Sequence, residues 1–292
     1  EYLIGIGSVT SVGVLLCAGV SLTAVIAHNV RLFRDSGGGG IHFAVSAKSN
    51  KSDSLFHASN EDLRNGLSRS DCLERQIQIR HPDDGLAHLT LGVPGQVGTL
   101  NGINAQGVAV SAAALLESPA HLAESSGRLQ TVRVKNILEG ADTIPTAVEI
   151  ARQSLADAAW NLILSHQASD DICHLEFDGT QLHVTSACPQ VVAANHRLGR
   201  ERTHAPSHSL KRLERLQRLL DEDENVNTER LQQTLRDCFD TKRNQQSTTP
   251  SLNTVCRVDN QISLVMQPAT GLIWVTPGNT SPGQQGRFIE IN

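Results

Sequence analysis

Short apolar steps broken by glycine and asparagine mark the middle of the chain. In residues 94–110, Val97, Leu100, Ile103, Val108 and Val110 alternate with Pro94, Gly95, Gly98, Gly102 and Gly107. Glycine reaches positive φ without steric cost, and asparagine tolerates the left-handed region. The pattern therefore predicts strands joined by tight turns, with Asn101 and Asn104 inside the turn region. Upstream, residues 42–46 read as a short strand, 48–54 as a polar loop and 61–67 as a short helix. Residues 76–80 alternate as Gln-Ile-Gln-Ile-Arg, the period of a half-buried strand, and a His-Pro-Asp-Asp-Gly turn leads to a further strand at 86–91.

Downstream the period changes. Leu129, Val132, Val134, Ile137 and Leu138 give apolar spacing read as a helix; Thr143 is placed to cap a second helix whose Ala147, Ile150, Ala151 and Leu155 repeat at helical spacing. Strands return at 160–165, 173–177 and 181–186, the last two joined by Asp178-Gly179. Residues 191–196 form an apolar strand ending in Asn195-His196. In 207–220, Leu213, Leu216, Leu219 and Leu220 define a helix face, with the basic residues expected on the solvated sides. Thr228 is read as the cap of a helix over 229–239, residues 242–250 as a polar linker, and 254–257, 262–267 and 272–275 as a closing β-meander. Helices between blocks of strands give an α/β order.

The first 27 residues allow two readings. Residues 3–27 carry no charge, which admits a membrane span or a secretory segment. The many Gly, Ser, Thr, Val and Ile residues, with Ala18-Gly19 midway, favour a buried β-hairpin with strands near 9–17 and 20–29. The four-glycine run at 37–40 lacks a phosphate-loop pattern and is expected to be a loop.

Composition narrows the function classes. The 292 residues carry a net charge of −5 with acids and bases mixed, and no basic tract is interleaved with aromatics, so nucleic acid is not expected as a partner. At 3% aromatics, the core must be built from Val, Leu, Ile and Ala. The six cysteines, at 17, 72, 173, 188, 238 and 256, form no C-x-x-C pair, so no metal site is expected. Their scatter fits free thiols in a reducing compartment, which points to a cytoplasmic protein.

The stretch G-x-x-G-x-x-x-G-x-N-x-x-G-x-A-V at 95–110 resembles the acyl-coenzyme A:6-aminopenicillanic acid acyltransferase-like (peptidase C45) family of Ntn hydrolases, relatives of the choloylglycine hydrolases. So do Arg133 with Leu138, Asn195-His196, and the Ser-x-x-Arg of Ser209 and Arg212. The resemblance implies one domain over 1–292 with a four-layer αββα sandwich, an amide-bond hydrolase or acyltransferase working on a small N-acyl compound with or without an acyl donor, and no cofactor. A homo-oligomer is compatible with it. It also implies a nucleophile at the start of a chain, whose own α-amine is the base.

In the family a strand opening Cys-Thr-Ser leads to a second strand ending Arg/Gln-Asn-x-Asp. Read onto Val9-Thr10-Ser11 and Ala27-His28-Asn29-Val30-Arg31, this keeps Asn29 but puts Val9 at the nucleophile position, with His28 and Arg31 at the amide and acid positions. A slip of one residue makes Ser8 the nucleophile; Ser11 and Cys17 are further candidates. The implied catalytic set is Ser8, Asn29 and the oxyanion donor Asn195, and the binding set is Asn104, His28, Arg31 and Arg212. The alternative is a degenerate site that binds a ligand or partner without chemistry.

Overall fold

The computed structural model describes residues 39–50, 52–62, 76–92, 96–115, 130–153, 159–178, 181–186, 188–198, 205–222, 225–276 and 286–292. It opens on an antiparallel hairpin of β1 (Gly39–Val45) and β2 (Phe56–Asp62). Next come β3 (Gln76–Arg80), β4 (His88–Gly92), β5 (Asn101–Asn104) and β6 (Val108–Ala114). Two helices, α1 (Gln130–Gly140) and α2 (Ile144–Gln153), precede β7 (Trp160–His166), β8 (Asp171–Phe177), β9 (Leu182–Thr185) and β10 (Gln190–Ala193). Helices α3 (Ser207–Asp221) and α4 (Thr228–Leu235) follow. The remaining strands are the two-residue pair β11 (Phe239–Asp240) and β12 (Gln245–Gln246), then β13 (Asn260–Gln267), β14 (Leu272–Thr276) and β15 (Ile289–Ile291).

These strands form two large antiparallel sheets. One has the order β10-β1-β2-β13-β14-β15, and the other is the meander β3 to β9. Alternation along the strands decides what each face meets. Ile41, Phe43 and Val45 of β1 join Ala58, Val192 and Val265 under Leu213, Leu216, Leu220 and Leu231 of α3 and α4. On the other sheet Val108, Val110, Leu162, Leu164 and Leu175 pack under Val134, Ile137 and Leu138 of α1 and Ala147 and Ala151 of α2. The two sheets face each other through Leu91, Ile103 and Ala109 against Ile262, Leu264, Met266 and Val275, and through Ala44 against Ile163 and Ile172. The layers are α, β, β, α, and the core is aliphatic as the composition requires.

Two glycines of the 94–110 stretch carry their expected roles. Gly98, at φ 78°, lies so close to α1 that a Cβ would sit 2.2 Å from the Thr131 carbonyl oxygen; Gly107, at φ 77°, closes the β5–β6 turn. Asn104 completes that turn by accepting from the Gln106 and Val108 amides.

Several expectations need correction. Glu61 and Asp62 are the last residues of β2, not the start of a helix, and β2 carries no apolar alternation because its inward residues are polar. Gly39 and Gly40 belong to β1 rather than to a loop. The cap of α4 is Asn227, whose side chain accepts from the Arg230 amide, and the helix stops at Leu235. Residues 254–257 are bends held by one isolated bridge, Ser251 to Arg257, and the third strand of the closing meander is β15. The polar linker at 242–250 contains β12. The expected N-terminal hairpin lies outside the described residues. Among those that are described, no helix is long and apolar enough to cross a membrane.

Candidate functional site

At one end of the sandwich, polar side chains from several elements converge on the main chain of Gly40. Asn195, just past β10, accepts the Gly40 amide N–H on its Oδ1 at 3.3 Å. The same oxygen accepts Nη2 of Arg212 from α3 at 2.8 Å. Two donors on that oxygen fix the orientation of the amide, and Nδ2 then donates to the Ala114 carbonyl of β6 at 2.9 Å. Asn195 thus ties the two sheets together, and it is fully buried. Arg212 donates from Nη1 to Oδ2 of Asp62 at 2.7 Å and from Nη2 to the Gly40 carbonyl at 3.5 Å. Ser209, one helical turn before Arg212, accepts the Asn195 amide N–H at 2.9 Å and lies 2.7 Å from Nδ1 of His196. The Ser-x-x-Arg spacing works because residues three apart share a helix face. Here that face is buried, so Arg212 is a core residue, contrary to the expectation that the basic residues of this helix are solvated.

Burial sets the electrostatics. It pushes the Asp62 carboxyl up from 3.8 to about 6, against the pull of Arg212 and Arg257. It pushes Arg212 down to about 10, helped by Arg257. Desolvation of both partners leaves a close pair that neither partner can lose cheaply.

A second polar group fills the space between the sheets. His57 of β2 lies 2.6 Å from the Ser111 hydroxyl through Nε2 and 2.9 Å from the Ser165 hydroxyl through Nδ1. Burial holds His57 down to about 3, so the ring is neutral and one serine donates while the other accepts. Ser59 donates to Asn101 Oδ1 at 3.1 Å, and Asn101 donates to Glu61. His42 of β1 is buried, and among the described residues neither ring nitrogen has a hydrogen-bond partner. Burial, His57 and Arg212 hold it down to about 3. A Cβ on Gly40 would lie 2.8 Å from its Nε2 and 2.7 Å from the Asn60 carbonyl oxygen.

The structure brings together two of the sequence-derived site residues, Asn195 and Arg212. Asn104 sits elsewhere, with Nδ2 on the Leu138 and Ala141 carbonyls and Oδ1 in the β5–β6 turn. Ser8, His28, Asn29 and Arg31 lie outside the described residues. Asp62, His42 and His57 are not among the residues the sequence singles out. A signal for Asp62 is nonetheless present: β2 ends Ser59-Asn60-Glu61-Asp62, the Asn-x-Asp spacing sought at the end of a second strand.

Solved structures share this fold. An N-acylethanolamine-hydrolyzing acid amidase ortholog from Caenorhabditis elegans superposes with a TM-score of 0.56 at 13% identity, over 85% of this chain and 99% of that one. Penicillin V acylase from Agrobacterium tumefaciens gives 0.53 at 13%, over 87% and 86%. A mutant of the conjugated bile acid hydrolase from Clostridium perfringens gives 0.56 at 10%, over 87% and 92%. The fold is the αββα sandwich of the Ntn hydrolases. No curated protein matches the sequence. The family model for acyl-coenzyme A:6-aminopenicillanic acid acyl-transferase matches residues 48–282, most of the chain, and the chain belongs to that family.

Proposed function

We propose that this chain is a catalytically degenerate member of its family, one that binds a small N-acyl compound without cleaving it. The observation that carries the reading is the convergence of Asn195, Arg212 and Asp62 on Gly40. In this reading the β1–β2 hairpin, ending Asn60-Glu61-Asp62, takes the place that the resemblance gives to the strand with the nucleophile. The opening of that strand is then glycine, which has no atom to attack a carbonyl. The space is closed as well, because a Cβ on Gly40 would meet the Asn60 carbonyl oxygen and His42.

The second reading is an active amide hydrolase or acyltransferase, with Ser8 as nucleophile, its freed amine as base and Asn195 among the oxyanion donors. Membership of an acyltransferase family favours it. N-terminal sequencing of the purified chain, together with amine release from a panel of N-acyl amines, penicillin V and bile-acid conjugates, separates the two. The degenerate reading expects a chain that continues through residues 8–40 uncut and releases no amine. A chain beginning at Ser8 with measurable amine release would overturn it.

A further inference from the structure

An open cleft of about 460 Å³ lies where the edge strands β9 and β10 part beside α3. Its volume suits a small organic molecule. One wall is apolar, made of Val191, Val192, Leu198 and Leu213. The other carries Glu176 and His174 of β8, both deeply buried at 4% and 5% exposure. Among the described residues no lysine or arginine lines the cleft.

The polar wall offers acceptors. Glu176 receives one hydrogen bond, from the Leu198 amide to Oε2 at 2.9 Å, and among the described residues it has no ion pair. A carboxylate this deeply placed calls for a cation. The proton on His174 follows from its neighbour. Asn161 spends its Nδ2 donors on the Ala194 and His196 carbonyls, so its Oδ1 is the acceptor for His174 Nε2 at 2.9 Å. Nε2 therefore carries the hydrogen, and Nδ1 keeps a lone pair. Burial holds this ring down to about 4, so it stays neutral and adds no positive charge. His183, across from Glu176 on β9, turns its Nε2 to Asp178 at 3.4 Å. The apolar residues opposite these acceptors fit an organic cation with an aliphatic body.

We propose that this cleft binds a primary ammonium compound with a short aliphatic body, the ammonium against Glu176 and Nδ1 of His174 and the body against Val191, Val192 and Leu213. The site holds whether or not the chain cleaves amides.

Cys188 also lines the cleft and is partly exposed, which makes it a local reporter. Methanethiosulfonate reagents of the same length, bearing an ammonium, a sulfonate or no charge, are compared at Cys188 by peptide mass spectrometry. The ammonium reagent should react about tenfold faster than the sulfonate, as one nearby unit charge in partly screened surroundings requires. Glu176→Gln should remove most of that preference. Thr185→Lys, at an exposed cleft-lining position, should reduce or reverse it and serves if Glu176→Gln does not fold. Hexylammonium should protect Cys188 from the uncharged reagent, whereas hexanol and hexanoate should not. A reagent preference unchanged in a folded variant, or equal protection by hexanoate, would overturn the proposal.

Discussion

Arg212 shows how a charged side chain becomes part of a core. It is fully buried and holds Asp62, Asn195 and the Gly40 carbonyl in one network. Removing one partner of such a pair leaves the other as an unpaired buried charge, which costs about 3–5 kcal/mol. Arg212→Met should lower the unfolding free energy by that amount in urea denaturation, and Arg212→Met with Asp62→Leu should recover part of it. A single variant within about 0.5 kcal/mol of wild type would remove the pair from the account of stability. The motif residues Ser209 and Arg212 were legible in the sequence, but their burial was not. Helical periodicity reads a basic residue beside leucines as the edge of a solvated face. Only the position of Asp62, 150 residues away in the chain, makes the buried placement favourable.

At the scale of elements, the organising stretch and its neighbours were legible because their signals are local. The positive-φ glycines, the Asn104 turn and the alternation of β3 need no tertiary information. The test is Gly98. A side chain there must adopt φ 78° and place its Cβ 2.2 Å from the Thr131 carbonyl oxygen. Gly98→Ala should cost more than about 2 kcal/mol, from left-handed strain plus displacement of α1, and a thermal melt equal to wild type would contradict the packing. Strand β2 escaped for the opposite reason. Its inward positions His57, Ser59 and Glu61 are polar, because they meet Ser111, Ser165 and Asn101 of the facing sheet rather than an apolar layer. A strand whose core-facing side is hydrogen-bonded has no hydrophobic alternation to read.

The whole molecule places several neutral imidazoles between or beside its sheets, and this makes its stability depend on pH. His42 and His57 are lowered from 6.5 to about 3, and His174 to about 4, each first by desolvation. As pH falls below 6.5 the unfolded chain takes up protons that the folded chain refuses. The stability held above that pH is lost through the window, at up to about 1.4 kcal/mol per unit for each histidine. Asp62, raised from 3.8 to about 6, acts in the opposite sense: its contribution is present at low pH and is lost as pH rises through 6. Three groups outweigh one, so the unfolding free energy should drop on acidification from pH 6 to pH 4. A flat or rising profile in denaturant titrations would show that these rings are solvated.

In the proposed reading, the polar network around Gly40 encloses a strand opening without a nucleophile. Intact-mass spectrometry of the purified chain, quenched in acid within seconds of mixing with a reactive phenoxyacetyl ester, tests it most directly. An unchanged mass is expected, because among the described residues β1 opens on Gly39 and Gly40, which carry no side-chain nucleophile beside Asn195 and Arg212. A stoichiometric acyl adduct mapped to Ser8 would contradict it and would make the chain an active acyltransferase or hydrolase.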